Sequence, residues 1–107
     1  MRSVGLNKII NNTVVDFEFD GESIYFDFKG GIGLAIHNER LTQPSNINDF
    51  KDTVLGKYLL EVNESDKSIE FLFDDETSIK VFLDDESYNG PEALVLEIPG
   101  EPIVVWN

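Results

Sequence analysis

The sequence predicts a mostly β fold, α+β only to the extent of one short helix. The expected form is a single antiparallel sheet, a meander or a partly open barrel, of roughly seven to eight short strands. Three observations carry this expectation. At Ser68–Leu83, the residues Ile69, Phe71 and Phe73 recur at every second position, Asp74–Thr77 interrupts, and Ile79, Val81 and Leu83 resume the alternation. A period of two puts alternate side chains on one face of a strand, and a turn-prone acidic break between two such runs reads as a hairpin. The same arrangement stands at Val15–Phe28, where Val15, Phe17 and Phe19 precede Asp20-Gly21-Glu22-Ser23, and Ile24, Phe26 and Phe28 follow. With one residue inserted in the later copy, Phe17 falls on Phe71, Phe19 on Phe73 and Ile24 on Ile79. Third, no alternation of strands with long helices appears, which argues against a parallel α/β sheet. Residues 1–107 are expected to form a single β-rich domain.

Taken in order, Val4, Leu6, Ile9 and Ile10 suit a short strand or one helical turn, and Asn11-Asn12 favours a turn after them. Val14–Phe19 and Ser23–Lys29 form the first hairpin, closed by Asp20-Gly21. Gly30-Gly31 breaks the chain before Ile32–Asn38, in which Gly33 and Ala35 alternate with Ile32, Leu34 and Ile36. The small residues leave room on one face, as if another element packs there. Thr42–Asn48 reads as a polar linker. Asn48 is placed to cap a helix over Asp49–Leu55, with Phe50 and Val54 on one face and Gly56 to stop it. Lys57–Asn63 alternates Tyr58, Leu60 and Val62 as a strand leading into the central hairpin. After Leu83 comes the irregular acidic stretch 84–92, and Ala93–Ile98 and Ile103–Trp106 are two last strands about a Pro-Gly-Glu-Pro turn.

Charge is the outlying quantity. Eight Lys and Arg against 21 Asp and Glu leave a net charge of −13, beyond the magnitude of about 2–8 that solubility asks of a small domain. Such a field repels nucleic acid and anionic membrane and steers basic partners inward. The absence of Cys excludes disulfides, thiolate metal sites and cysteine nucleophiles. No basic and apolar leader pattern opens the chain and no apolar run approaches the roughly 18 residues of a membrane span, so the cytoplasm is the expected compartment.

Catalytic and metal-binding patterns fare poorly. His37 is the one histidine; it reads as a surface or strand-edge residue, with no Gly-x-Ser-x-Gly elbow and no nucleophile–base pair legible around it. Asp16, Glu18, Asp20, Gly21 and Asp27 approach a calcium-loop spacing, but Phe17, Phe19, Ile24 and Phe26 stand between them at strand spacing and no helices flank the loop. Gly30-Gly31-Ile32-Gly33 lacks the Lys-Ser/Thr of a phosphate loop. Acids are so frequent that paired carboxylates carry little information. No cofactor and no metal is expected.

What remains is the acidic tips. Asp74, Asp75 and Glu76 stand at one end of the strand Ser78–Leu83 and Asp84, Asp85 and Glu86 at the other, roughly 20 Å apart at about 3.3 Å per residue. Tyr88 follows the second cluster as an aromatic anchor of the kind favoured at protein interfaces. These seven residues are the candidate partner-binding set, presenting charge like that of a nucleic-acid backbone to a basic cleft.

Leu55-Gly56, Phe73-Asp74-Asp75 with Ser78-Ile79-Lys80-Val81, Pro91-Glu92-Ala93-Leu94 and the terminal Val-Val-Trp together resemble small bacterial proteins. Some of these are immunity proteins encoded beside contact-dependent growth inhibition and other polymorphic toxins. The resemblance covers about half the chain. It implies a cytoplasmic, non-enzymatic protein that binds the C-terminal domain of one cognate toxin, often a nuclease with a basic active-site face. The alternatives are a generic acidic β-module of a larger assembly and a small hydrolase.

Overall fold

A computed structural model of the chain describes residues 6–107. Nine strands and one α-helix run in the order β1 (Val14–Phe19), β2 (Ile24–Phe28), β3 (Ile32–Ile36), β4 (Arg40–Gln43), α1 (Ile47–Val54), β5 (Glu61–Glu64), β6 (Ser68–Asp74), β7 (Thr77–Phe82), β8 (Leu94–Glu97) and β9 (Val104–Trp106). The fold is mostly antiparallel β with one short helix, as the alternation predicts. It is built as two sheets, not one, in the orders β1-β2-β3-β8-β9 and β4-β7-β6-β5, and neither closes into a barrel. Alternation identifies the buried face of a strand but not the sheet that the strand joins, and this is why the two-layer arrangement escapes the sequence.

The two similar hairpins lie in different sheets and face each other. Phe26 of β2 stacks on Phe73 of β6 at 5.8 Å between ring centroids and meets Phe17 edge-on at 5.2 Å. Phe50 of α1 closes the cluster at 5.4 Å from Phe17. The helix presents Phe50 and Val54 to the core, as their spacing of four predicts, and touches strands of both sheets. Its cap is Asn46 and not Asn48: the Asn46 side chain accepts from the backbone N–H groups of Asn48 and Asp49 at 3.0 and 3.1 Å, so the helix begins two residues before the expected start.

Four further expectations change. The expected Val15–Phe17–Phe19 face is broken by a bulge between Val14 and Asp16. Val14 and Phe17 turn inward and Val15 outward, while Phe19, on the core face but at the strand's end, remains 43% exposed beneath the Arg40 guanidinium. Phe17, Phe26, Phe71 and Phe73 are buried as predicted. Arg40–Gln43, read in part as linker, is a strand paired to β7. Between α1 and β5, Leu59 is buried and Tyr58 and Leu60 are exposed, the reverse of the expected phase. Here the chain crosses between sheets: Tyr58 bridges Thr13, and Leu59 exchanges backbone hydrogen bonds with Asn11 and Asn12 before β5 joins β6. Finally, no helix or strand among the described residues covers Gly33 and Ala35. The N-terminal segment is a 3-10 turn at Leu6–Ile9; Val4 lies outside the described residues.

The expected C-terminal strand is present. β9 pairs with β8, Val105 opposite Val95, and Trp106 packs against the core. A buried Asn38 joins the sheets on one side, its side-chain N–H donating to the Phe82 carbonyl at 2.7 Å.

Candidate functional site

The two acidic clusters lie at opposite ends of β7, and the fold does not bring them together. Asp74, Asp75 and Glu76 form the β6–β7 turn, in which none of the three takes the positive φ that would favour Gly, and Asp74 ties the turn by accepting the Glu76 N–H at 2.9 Å. Lys57 reaches the same carboxylate at 2.7 Å, and this ammonium, with the Glu76 N–H, holds Asp74 down at about 2. Part of this cluster is therefore already neutralised by the chain's own lysine. Asp84, Asp85 and Glu86 sit on a short 3-10 turn at Asp85–Ser87; all three are exposed, and Asp84 accepts the Ser87 hydroxyl at 2.7 Å. Tyr88 follows, half-buried. This loop is fixed at its base by the Glu39 N–H to the Ser87 carbonyl, 2.8 Å, and by the Asn89 side chain donating to the His37 carbonyl, 2.9 Å.

The loop leads into a cleft of about 220 Å³ lined by Glu22, Ser23, His37, Asn89, Gly90, Pro91 and Glu92. Its floor holds a pair that the linear sequence hides. Ser23 Oγ lies 2.8 Å from His37 Nδ1. The expectation of no hydroxyl–base pair around His37 is corrected here, and the signal for it was the Gly30-Gly31 turn. A register that pairs Phe28 with Ile32 and Ile24 with Ile36 places Ser23 opposite His37. Ser23 as a residue is 6% exposed, and among the described residues no carboxylate hydrogen-bonds the imidazole's other nitrogen. Chemically the pair is a polar cross-link between the ends of β2 and β3. Beside it Asp20 caps the β1–β2 turn by accepting the Ser23 and Glu22 N–H groups at 2.7 and 2.9 Å and the Tyr25 hydroxyl at 3.2 Å. Those donors, the Ser23 N–H first, lower the Asp20 pKa. The acids with calcium-loop spacing thus serve as a turn cap and strand-surface groups. Arg40, partly buried, donates to the Asn38 and Glu22 carbonyls, and burial pushes its guanidinium pKa down.

Ser23 and His37 stand at one end of the outer face of the five-stranded sheet. From them the face runs along Tyr25, whose ring meets His37 edge-on at 6.3 Å, to a shallow trough of about 260 Å³. Tyr25, Asp27, Gly33, Ala35, Val95 and Glu97 line it. No group of three or more His, Cys, Asp or Glu side chains among the described residues is arranged to hold a metal ion.

Compared with known proteins, the chain matches no family model, no curated protein and no solved structure.

Proposed function

We propose that this protein is an immunity protein that binds the basic C-terminal domain of a cognate toxin, a nuclease in kind, and neutralises it by occluding the active-site cleft with an acidic surface. The observation that carries the reading is uncompensated charge. The net charge is −13, and the ion pairs among the described residues are two, Lys8–Glu101 and Lys57–Asp74. The remaining carboxylates carry no ion pair among the described residues. An exposed field of one sign accelerates encounter with a basic surface and rejects nucleic acid and anionic membrane. Within that surface the 84–88 loop is the better anchor, because its carboxylates are exposed and carry no ion pair among the described residues while Asp74 is bound to Lys57. The likeness of the C-terminal half to toxin immunity proteins supports the same reading, under which the protein acts in the cytoplasm. No helix among the described residues is long and apolar enough to cross a membrane. A generic acidic β-module of a larger assembly has the same charge but no single occluded partner.

The Ser23–His37 contact favours one second reading, a small hydrolase. Against it stand the burial of Ser23 and its engagement of Nδ1 with no carboxylate among the described residues on the ring's other nitrogen. A hydrolase activity abolished by both Ser23→Ala and His37→Ala would establish that reading.

The binding reading requires a toxin gene adjacent to this one, and it is tested by titrating the purified protein against that toxin's C-terminal domain at about 50 and about 300 mM salt. Association slows markedly at the higher salt. Reversal of Asp84, Asp85 and Glu86 to Lys weakens binding and restores toxin activity, far more than reversal of Glu64 and Asp66. If every acidic cluster tolerates reversal equally and binding ignores salt, the charge is a solubility device and the proposal fails.

A further inference from the structure

We infer that the outer face of the five-stranded sheet is the docking surface for the basic partner, and that its trough receives an arginine side chain. This rests on the binding function proposed above and assigns it a surface.

The argument begins with strand parity. In an antiparallel sheet with one solvated face, the outward positions are ordinarily polar. Here one cross-strand row on that face runs Tyr25, Ala35, Val95, Val105, by the register of β2 with β3, β3 with β8 and β8 with β9. It is apolar across four strands, and Tyr25 and Val105 are both more than a third exposed. The neighbouring row runs Asp16, Asp27, Gly33, Glu97. An apolar strip bordered by charge is the composition of an interaction site, not of a solvated face. The smallest side chains sit at the centre: Gly33 and Ala35 lower the floor, and a Cβ built on Gly33 would meet nothing within 4 Å.

Charge selects the occupant. Glu18 stands opposite Tyr25 and Asp16 opposite Asp27, so four carboxylates, Asp16, Glu18, Asp27 and Glu97, border the strip. None of them forms an ion pair among the described residues, and no Lys or Arg occupies an outward position on these five strands. A partner that covers the apolar row must therefore bring positive charge with it. Arginine meets the geometry better than lysine. Its methylene stem lies on Ala35 and Val95, its planar guanidinium stacks on an aromatic wall, and its fork of donors serves two carboxylates at once. The wall is held in place beforehand, since the Tyr25 hydroxyl donates to Asp20 at 3.2 Å and its ring rests edge-on to His37; little side-chain freedom is then lost on binding. The face is continuous through Tyr25 and His37 with the cleft into which the Asp84–Tyr88 loop runs.

The test is a chemical-shift titration of the isotopically labelled protein with a short blocked peptide carrying Arg-Leu-Arg and with its Lys-Leu-Lys counterpart. The expected shifts cluster on Tyr25, Gly33, Ala35 and Val95, with the arginine peptide binding at least about threefold tighter. Gly33→Val, or Ala35→Leu should the first variant fold poorly, fills the trough and abolishes the clustered shifts while the thermal midpoint is retained. Shifts spread evenly over all acidic tips, shifts confined to the free edge of β9, or binding that survives a filled trough overturns the inference. The toxin titration separates the two claims. Filled-trough variants that bind and neutralise the toxin as wild type does refute only this surface, whereas wild type that binds no basic toxin domain refutes the function on which it rests.

Discussion

Phe26→Ala is the perturbation that examines the two-layer core most directly. The Phe26 ring is 1% exposed and sits 5.2 Å from Phe17, 6.0 Å from Phe28, 6.3 Å from Phe50 and 5.8 Å from Phe73. It therefore touches its own sheet, the opposite sheet and the helix, and removing it leaves a cavity that no single neighbour can fill. Truncations of buried Phe cost about 3–5 kcal/mol. A chain of 107 residues unfolds with an entropy of about 0.22 kcal/mol/K at its midpoint, so the expected fall in Tm is about 14–23 °C. Against a total stability of about 5–15 kcal/mol the variant is close to unfolding. Phe19→Ala is the matched control. That ring is 43% exposed and is covered on one side by the Arg40 guanidinium at 5.9 Å, so its truncation costs about 1 kcal/mol. Urea unfolding followed by Trp106 fluorescence and by circular dichroism, with the m-value unchanged, measures both. Equal losses for the two variants would show that the β1 bulge is misplaced and that Phe19 belongs to the core. A loss below about 1 kcal/mol for Phe26→Ala would show that the sheets do not pack as described.

Asp74→Asn removes the ion pair with Lys57; the pair is more than a third exposed on the acid's side, so the loss at neutral pH stays under about 1 kcal/mol. Because the folded pKa is depressed to about 2 from 3.8, the contribution is present above pH 4 and fades as pH falls toward 2. The variant's stability profile is flatter across that window in acid titration, and an unchanged slope would refute the assignment. Asn46→Ala frees the N–H groups of Asn48 and Asp49 and costs about 1 kcal/mol, whereas Asn48→Ala costs nothing measurable by thermal unfolding. Deleting residues 103–107 removes β9 and uncovers the edge of β8; the protein unfolds or loses most of its thermal stability, and a truncated chain with the original Tm would show that the strand is not part of the fold.

Much of the architecture is legible because the buried face of each hairpin is written in phenylalanine and β-branched residues at alternate positions. β2, β6 and β7 follow that pattern nearly residue for residue. The departures have two causes. A bulge against the neighbouring β2 moves Val15 out of phase. A change of sheet inverts Tyr58, Leu59 and Leu60, and pairing to β7 makes a strand of Arg40–Gln43; both are decided by partners distant in sequence, which no local window contains. The candidate site divides the same way. The acidic tips are visible as composition, whereas the Ser23–His37 contact and the apolar outer row exist only once strand register is fixed. Gly33 and Ala35 gave a true signal of vacant space, but the space belongs to the exterior and not to an element of this chain.

The interleaving of the sheets sets an order of assembly. The five-stranded sheet takes β3 and β8 as neighbours although β4, α1, β5, β6 and β7 all intervene between them in the chain. Contacts so remote in sequence close late, while the β6–β7 hairpin closes on itself. A folding chain whose four-stranded sheet is complete before β8 has docked therefore presents β3 as an unpaired edge, with the buried row Leu34 and Ile36 lacking Leu96 and Leu94 beside it. That edge is the folding chain's point of vulnerability to intermolecular strand pairing until β8 and β9 close the sheet.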